Sequence, residues 1–216
     1  VLSEFSGLTP KAVPNDTAAY SDTAKPKAAA TAFDKQIMGM ANNGRSARDM
    51  LRTIQMESGS KLNRQLAAVL LKMQAIPKVE AVGRIYNRNG GLVGGVYQGT
   101  TDTVQLSLLG EAGAERTFMH EMVHAATIQS LRRGGMAAQR MKALFARVQK
   151  DSALAGEYGV TDVYEFVAEL YSNERFRAAL NTINDDTLWQ NFVSIVRSVL
   201  GLSSDQKTAL SDALMA

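Results

Sequence analysis

Residues 114–131 read AERTFMHEMVHAATIQSL, and within this stretch the pentapeptide HEMVH has His120 and His124 at its ends. Side chains four positions apart on a helix lie on the same face one turn apart, so both imidazole rings can reach a single metal ion. Glu121, between them, can reach a water molecule at that metal. The chain has only two histidines, and both are in this motif. The stretch therefore predicts a helix that carries two zinc ligands.

The bulk composition is that of an ordinary globular protein. At 216 residues, with 45% hydrophobic and 21% charged residues, the chain suits one domain, or one domain with an appended helical segment. The net charge of +3 is too small to predict a nucleic-acid partner. No stretch approaches the roughly 18 consecutive apolar residues of a membrane span, and the first residues lack a signal-peptide pattern. We therefore expect a soluble protein without a membrane partner, of unknown location.

Three regions follow from the composition along the chain. Residues 1–30 contain three of the four prolines and are predicted to form an extended arm or linker. Residues 31–76 carry apolar side chains at helical spacing and are predicted to form a helical N-terminal segment packed on the domain. Residues 77–216 are predicted to form the domain that contains the motif. Because the chain begins with Val1 rather than Met, we expect a processed product or a piece of a longer polypeptide or assembly.

The apolar period shifts towards two after Pro77, which indicates strands. The expected sheet is small and twisted, has three or four strands, and precedes the motif helix. Its predicted strands lie at 79–85, 92–98 and 102–108. Helices are predicted at 113–132, 136–150 and 163–172, and again in the C-terminal tail. The predicted fold class is therefore α+β and mainly helical.

A catalytic zinc needs a third protein ligand besides the two histidines. The chain has no cysteine and no further histidine, and Ser130 stands where the longer three-histidine motif would need its third ligand. The third ligand must then be a carboxylate. Glu165 and Glu169 stand four apart in a helix that is otherwise apolar, where burying them is costly unless a positive group meets them. Glu165 is assigned as ligand and Glu169 as its support, with the reverse order, an exposed acidic stripe, or pairing with nearby arginines as alternatives.

The stretch 157–170 reads EYGVTDVYEFVAEL. Together with HEMVH it resembles the metal-binding sequences of the anthrax lethal factor type of zinc endopeptidase, which place Tyr-Gly seven residues before Glu-Phe-x-Ala-Glu. The resemblance covers about residues 100–200 and is specific only in these two motifs. It implies a zincin-like fold of the glutamate-ligand (gluzincin) class with Zn²⁺ as cofactor. The matching positions are the ligands His120, His124 and Glu165, the general base Glu121, the supporting Glu169, and Tyr158.

The activity that the resemblance implies is hydrolysis of peptide bonds in a protein or peptide substrate. A water molecule activated by zinc would attack the carbonyl while Glu121 accepts its proton. Tyr158 matches a tyrosine that stabilises the oxyanion and helps the leaving group. The strand 102–108 is predicted to be an edge strand that pairs with an extended substrate. The substrate-binding residues of that strand would be Val104, Gln105 and Leu106.

Three other interpretations remain open at this point. The short motif could be a chance match on an amphipathic helix. The chain could be a non-catalytic zinc-binding structural or interaction module of a larger protein, such as a phage virion component; similar domains occur within very large phage and mobile-element proteins. The intact Glu121 and Tyr158 argue against such a module, which needs neither. The chain could also be a metal hydrolase that acts on another kind of bond.

Overall fold

The computed structural model describes residues 29–73, 75–87, 90–110, 113–150, 154 and 156–181. Almost all of the predicted arm, and the tail helices predicted beyond residue 181, lie outside these residues. Within them the chain forms seven α-helices and five short strands, which is the predicted mixture of α and β structure. None of the helices described here combines the length and the apolar composition that a membrane crossing requires.

Three helices precede the strands and four follow them. Their bounds are α1 (Ala32–Asn42), α2 (Ala47–Glu57), α3 (Lys61–Leu70), α4 (Ala114–Arg133), α5 (Met136–Val148), α6 (Val163–Ser172) and α7 (Glu174–Asn181). Local capping explains several of the starts, because a short polar side chain before the first turn satisfies a backbone N–H that has no partner within the helix. Ser46 caps α2 and Ser60 caps α3. Asp162 caps α6, since its Oδ1 atom accepts the N–H groups of Tyr164 and Glu165 at 2.7 and 2.9 Å.

The motif helix α4 is capped from a distant part of the chain. Gly113, just before it, has a φ of 82° and provides no side-chain cap. Instead Asp34 of α1 accepts the backbone N–H of Glu115 at 3.1 Å through Oδ1. The Glu115 carboxylate in turn accepts hydrogen bonds from Ser58 Oγ and from Asn63 Nδ2. The helices before the sheet therefore supply the polar contacts at the start of the motif helix α4.

Removal of the Asp34 carboxylate should cost α4 its cap and α1 half of its capping box, because Thr31 Oγ1 can still accept the backbone N–H of residue 34. We expect Asp34→Ala to lower the free energy of unfolding by about 2 kcal/mol, since each lost cap costs roughly 0.5–2 kcal/mol. Urea unfolding measures this, and Asp49→Ala is the matched control because Asp49 has the same place in α2. Equal losses in the two variants would contradict a role for Asp34 in α4.

The strands form one sheet of three and a separate hairpin of two. Their bounds are β1 (Lys78–Val82), β2 (Ile85–Tyr86), β3 (Leu92–Val93), β4 (Gly95–Gln98) and β5 (Thr103–Ser107). The sheet order is β1-β5-β4, with β5 parallel to β1 and antiparallel to β4. The predicted strand 79–85 is divided into β1 and β2, and the predicted strand 92–98 into β3 and β4, because the chain leaves the sheet after β1 to make the β2–β3 hairpin.

The prediction that strand 102–108 lies at an edge is wrong. Val104, Gln105 and Leu106 belong to β5, which is the central strand and is paired on both sides. The error has a physical cause, because alternation of apolar residues fixes which side chains share a face and says nothing about which strands are neighbours. Here β1, although distant in sequence, pairs with β5 in parallel and covers the side that was expected to be open.

Among the described residues, one hydrophobic core connects the N-terminal helices with α4 and α6. Ile37 of α1, Leu66 of α3, Phe118 of α4 and Phe166 of α6 are all fully buried in it. Helix α4 lies at its centre, against α1, α6 and the strands β4 and β5. Residues 117–124 are buried without exception. The two turns that carry the motif are therefore enclosed by protein.

Candidate metal centre

The two histidines project from α4 towards the same point. Their Nε2 atoms lie 3.0 Å apart. Helix α6 packs beside α4 and brings Glu165 to this point, with its Oε2 atom 3.2 Å from Nε2 of His120 and 3.6 Å from Nε2 of His124. All three side chains are buried, and they form a group that could hold a metal ion. The structure thus brings together the three ligands predicted from the sequence.

The spacing of the three ligand atoms fits a tetrahedral metal ion. Zinc binds nitrogen and carboxylate oxygen at about 2.0–2.2 Å, which places neighbouring ligand atoms of a tetrahedron about 3.3–3.5 Å apart. The observed separations of 3.0, 3.2 and 3.6 Å bracket that value. Two imidazoles and a carboxylate suit zinc, and imidazole also suits other first-row divalent ions. The donor set therefore fits a metal ion but does not by itself select one.

Electrostatics at this point favour a positive charge between the ligands. Burial disfavours the charged form of His120, but contacts with Glu165 and Glu169 outweigh it and raise its pKa to about 10. Burial works against the charged form of Glu165 too, yet the adjacent histidines lower the pKa of that carboxyl to about 2. Burial lowers the pKa of His124, which favours the neutral ring that binds metals. Glu165 therefore stabilises a cation at this position.

Glu121 is a buried carboxyl with few polar contacts. It is fully buried, and neither of its carboxylate oxygens makes a hydrogen bond of normal geometry with a described residue. Burial raises its pKa to about 8. The positive charge of His120 and the backbone N–H of Tyr97 lower the pKa and only partly offset this rise, whereas the negative charge of Glu165 adds to it. A carboxyl with a pKa near neutrality can both accept and release a proton, which is what a general base and acid must do.

Strand β4 lies directly against this carboxyl. A Cβ atom on Gly95 would come within 3.2 Å of Glu121 Cγ and within 2.6 Å of a methyl group of Thr117. Only a glycine lets the backbone approach so closely without displacing either neighbour. The backbone of β4 therefore forms one wall beside Glu121.

Glu169 lies on the other side of the His120 ring from Glu165. Its Oε1 atom is 3.4 Å from Nδ1 of His120, whereas its Oε2 atom accepts a hydrogen bond from Asn173 Nδ2 at 2.6 Å. Arg116 lies 3.5 Å from the same Oε2 atom. Glu165 thus faces Nε2 of both histidines, whereas Glu169 faces Nδ1 of His120. This geometry favours Glu165 as the ligand and Glu169 as its support over the reverse assignment.

Sequence reasoning missed three polar residues around the histidine ring. Ser172 Oγ lies 3.0 Å from His120 Nδ1, which is closer than Glu169. Arg116 and Asn173 contact Glu169 as described above. Helical spacing contains the signal for all three, because Arg116 precedes His120 by one turn, and Ser172 and Asn173 follow Glu169 by about one turn.

Tyr158 lies in a 3-10 turn, Tyr158–Val160, that packs against α6. Its side chain is half-buried, and its part in catalysis stays a prediction. The glycine that follows it has a packing role: a Cβ atom on Gly159 would come within 2.5 Å of the buried Phe176 ring. The Tyr-Gly pair therefore places the tyrosine at a turn that is closely packed against α7.

The predicted site residues other than Tyr158 thus fall into two groups. His120, His124, Glu165 and Glu169 come together, and Glu121 lies close enough to His120 and Glu165 for their charges to shift its pKa. The candidates on β5 belong to a strand that is paired on both sides.

Comparison of the chain with protein-family models, with curated proteins and with solved structures finds no match. The geometry of the described residues is therefore the basis for assigning a metal centre.

Proposed function

We propose that the protein is a zinc-dependent endopeptidase with a zincin-like site of the glutamate-ligand class. One juxtaposition carries the proposal: three ligand atoms at tetrahedral spacing lie beside Glu121, a buried carboxyl that makes no hydrogen bond of normal geometry in the described structure. Buried polar groups are normally paired, so an unpaired carboxyl beside a metal-binding group supports a catalytic role.

The chain's own residues can divide the work of hydrolysis. A zinc ion bound by His120, His124 and Glu165 would supply a Lewis acid that lowers the pKa of water and polarises a peptide carbonyl. Glu121 would accept the proton of the attacking water and pass it to the leaving amine. Burial, which raises the pKa of this carboxyl, suits it to hold that proton between the two steps. Tyr158 would donate a hydrogen bond to the oxygen on which negative charge develops.

The substrate would bind along β4 in place of the strand predicted from the sequence. Strand β4 pairs with β5 on one side only, and its other side has no strand partner within the described residues. Its backbone passes beside Glu121 at Gly95. An extended peptide that pairs with β4 would therefore pass the general base, and backbone pairing would supply affinity without a demand on sequence.

The ligand count supports an enzyme over a structural module. Structural zinc sites are closed by four protein ligands, whereas catalytic sites have three and an open position. In the described part of the chain, three side chains meet at the metal centre. A structural site would also gain nothing from a buried carboxyl at Glu121, because burying it without a partner costs free energy.

A peptide library tests the proposal directly. We expect zinc-loaded protein to cleave peptides, a chelator to stop cleavage, and added zinc to restore it. Mass spectrometry of the products measures cleavage, and atomic emission measures the metal. Protein that binds one zinc per chain and cleaves nothing in the library would contradict the endopeptidase and favour the structural module.

A further inference from the structure

We infer that Ser172 is a positioning residue for the metal centre, because its hydroxyl accepts the Nδ1–H of His120 and so directs Nε2 of that ring towards the metal. The inference rests on the proposed metal site and concerns a residue that the ligand motifs do not include. Ligand histidines generally donate their second ring N–H to an acceptor, which fixes both the tautomer and the ring orientation.

The direction of the hydrogen bond follows from the number of protons. Ser172 Oγ donates to the carbonyl oxygen of Ala168 at 2.9 Å, one turn earlier in α6. A hydroxyl has a single proton, and this bond uses it. With that proton on Ala168, the oxygen accepts from His120 Nδ1, 3.0 Å away, and the Glu169 carboxylate, 3.4 Å from Nδ1, also favours a proton on that nitrogen. The ring must donate from Nδ1, which leaves the lone pair on Nε2 for a metal ion.

Glu169 is the competing acceptor, and its geometry is less favourable. Its Oε1 atom is 3.4 Å from Nδ1, beyond the usual 2.7–3.2 Å or so of an N–H···O bond. Its Oε2 atom accepts from Asn173 and lies near Arg116. These contacts assign different tasks to the two residues. Glu169 supplies negative charge behind the ring, and Ser172 supplies the acceptor that sets its orientation.

Ser172 and the ligand Glu165 lie on the same helix, which fixes their positions relative to each other. Ser172 follows the ligand Glu165 by seven residues, or two turns, so both project from the same face of α6. That helix therefore holds the His120 ring from two sides, with Glu165 at Nε2 and Ser172 at Nδ1. Any shift of α6 relative to α4 would change the ligand and its support together.

Zinc affinity of matched variants provides the first test. In competition with a chromophoric chelator, we expect Ser172→Ala to bind zinc about 10- to 100-fold more weakly than wild type, the usual loss for such supporting residues. Ser172→Thr retains the hydroxyl and should restore affinity to near the wild-type value. The control is Thr103→Val in β5, away from the metal centre. It removes a buried hydroxyl that donates to the backbone carbonyl of Thr101, and it should leave zinc affinity unchanged.

Histidine NMR provides a readout that a general loss of stability would not change. The chain has two histidines, so protein labelled with ¹⁵N-histidine gives signals from two rings only. In zinc-loaded protein we expect a slowly exchanging Nδ1–H signal from His120 that is lost in Ser172→Ala and retained in Ser172→Thr. If Ser172→Ala kept both the signal and wild-type affinity while Glu169→Ala lost both, Glu169 would be the acceptor and the inference would be overturned.

Failure of this inference differs from failure of the proposed function. Wild-type protein that cleaves peptides with zinc, together with an unaffected Ser172→Ala variant, would overturn the role of Ser172 alone. Wild-type protein that does not bind zinc would overturn the proposed centre and with it the role of Ser172.

Discussion

Glu121→Gln is expected to abolish peptide hydrolysis while zinc stays bound at the wild-type level. Glutamine has the shape of glutamate but cannot accept a proton, so the step assigned to Glu121 is lost. General base catalysis contributes about 10²- to 10⁴-fold, and kcat should fall by a factor in that range. The three metal ligands are untouched, so zinc content, measured by atomic emission after dialysis, should not change.

The same variant should be slightly more stable than the wild type. The Glu121 carboxyl is fully buried and makes no hydrogen bond of normal geometry with a described residue, so its ionised form is costly. A neutral amide removes that cost, and the thermal midpoint should rise as activity is lost. Glu80→Gln on the half-exposed strand β1 makes the same chemical change away from the centre and should affect neither property. Retained hydrolysis in Glu121→Gln would remove Glu121 from the reaction.

Loss of the third ligand should have the second large effect. We expect Glu165→Ala to lose its zinc on dialysis, whereas Glu169→Ala should keep most of it with an affinity about 10- to 100-fold weaker. The reason is geometric: Glu165 faces the Nε2 atoms of both histidines, and Glu169 faces only Nδ1 of His120. Metal content after dialysis against a weak chelator measures the difference.

Thermal unfolding gives an independent measure of the same contrast. A ligand that binds only the folded state, at about 100 times its Kd, adds roughly 2.7 kcal/mol to the free energy of unfolding. Zinc should therefore raise the midpoint of the wild type and, less strongly, of Glu169→Ala, but not that of Glu165→Ala. Loss of metal in Glu169→Ala alone would show that the order of ligand and support is reversed.

Sequence reasoning reached much of the metal centre because its parts follow local rules. Two histidines four apart on a helix must share a face, whatever the helix packs against. The absence of cysteine and of further histidines then limited the third ligand to an acid. The spacing of Glu165 and Glu169 in an apolar helix identified the pair, and the structure separates them by the ring nitrogen that each one faces.

The sequence could not predict the contacts between residues that lie far apart in the chain. The parallel pairing of β1 with β5 made Val104 part of a central strand, and no local pattern distinguishes a central from an edge position in so short a sheet. The hydrogen bond from His120 to Ser172 likewise depends on how α4 and α6 pack. Helical spacing identified the face of α6 but not which of its polar groups the ring would meet.

The remote cap on α4 has a consequence for the order of folding. Asp34 and Glu115 lie 81 residues apart in the chain, so the metal-binding helix gains its cap only after a long loop has closed. Contacts between distant residues form late because closing the loop costs entropy before the contact repays it. Zinc should therefore be captured after the N-terminal helices have docked, and a chain that starts at residue 77 should acquire its metal poorly. The helices before the sheet belong to the same folding unit as the site.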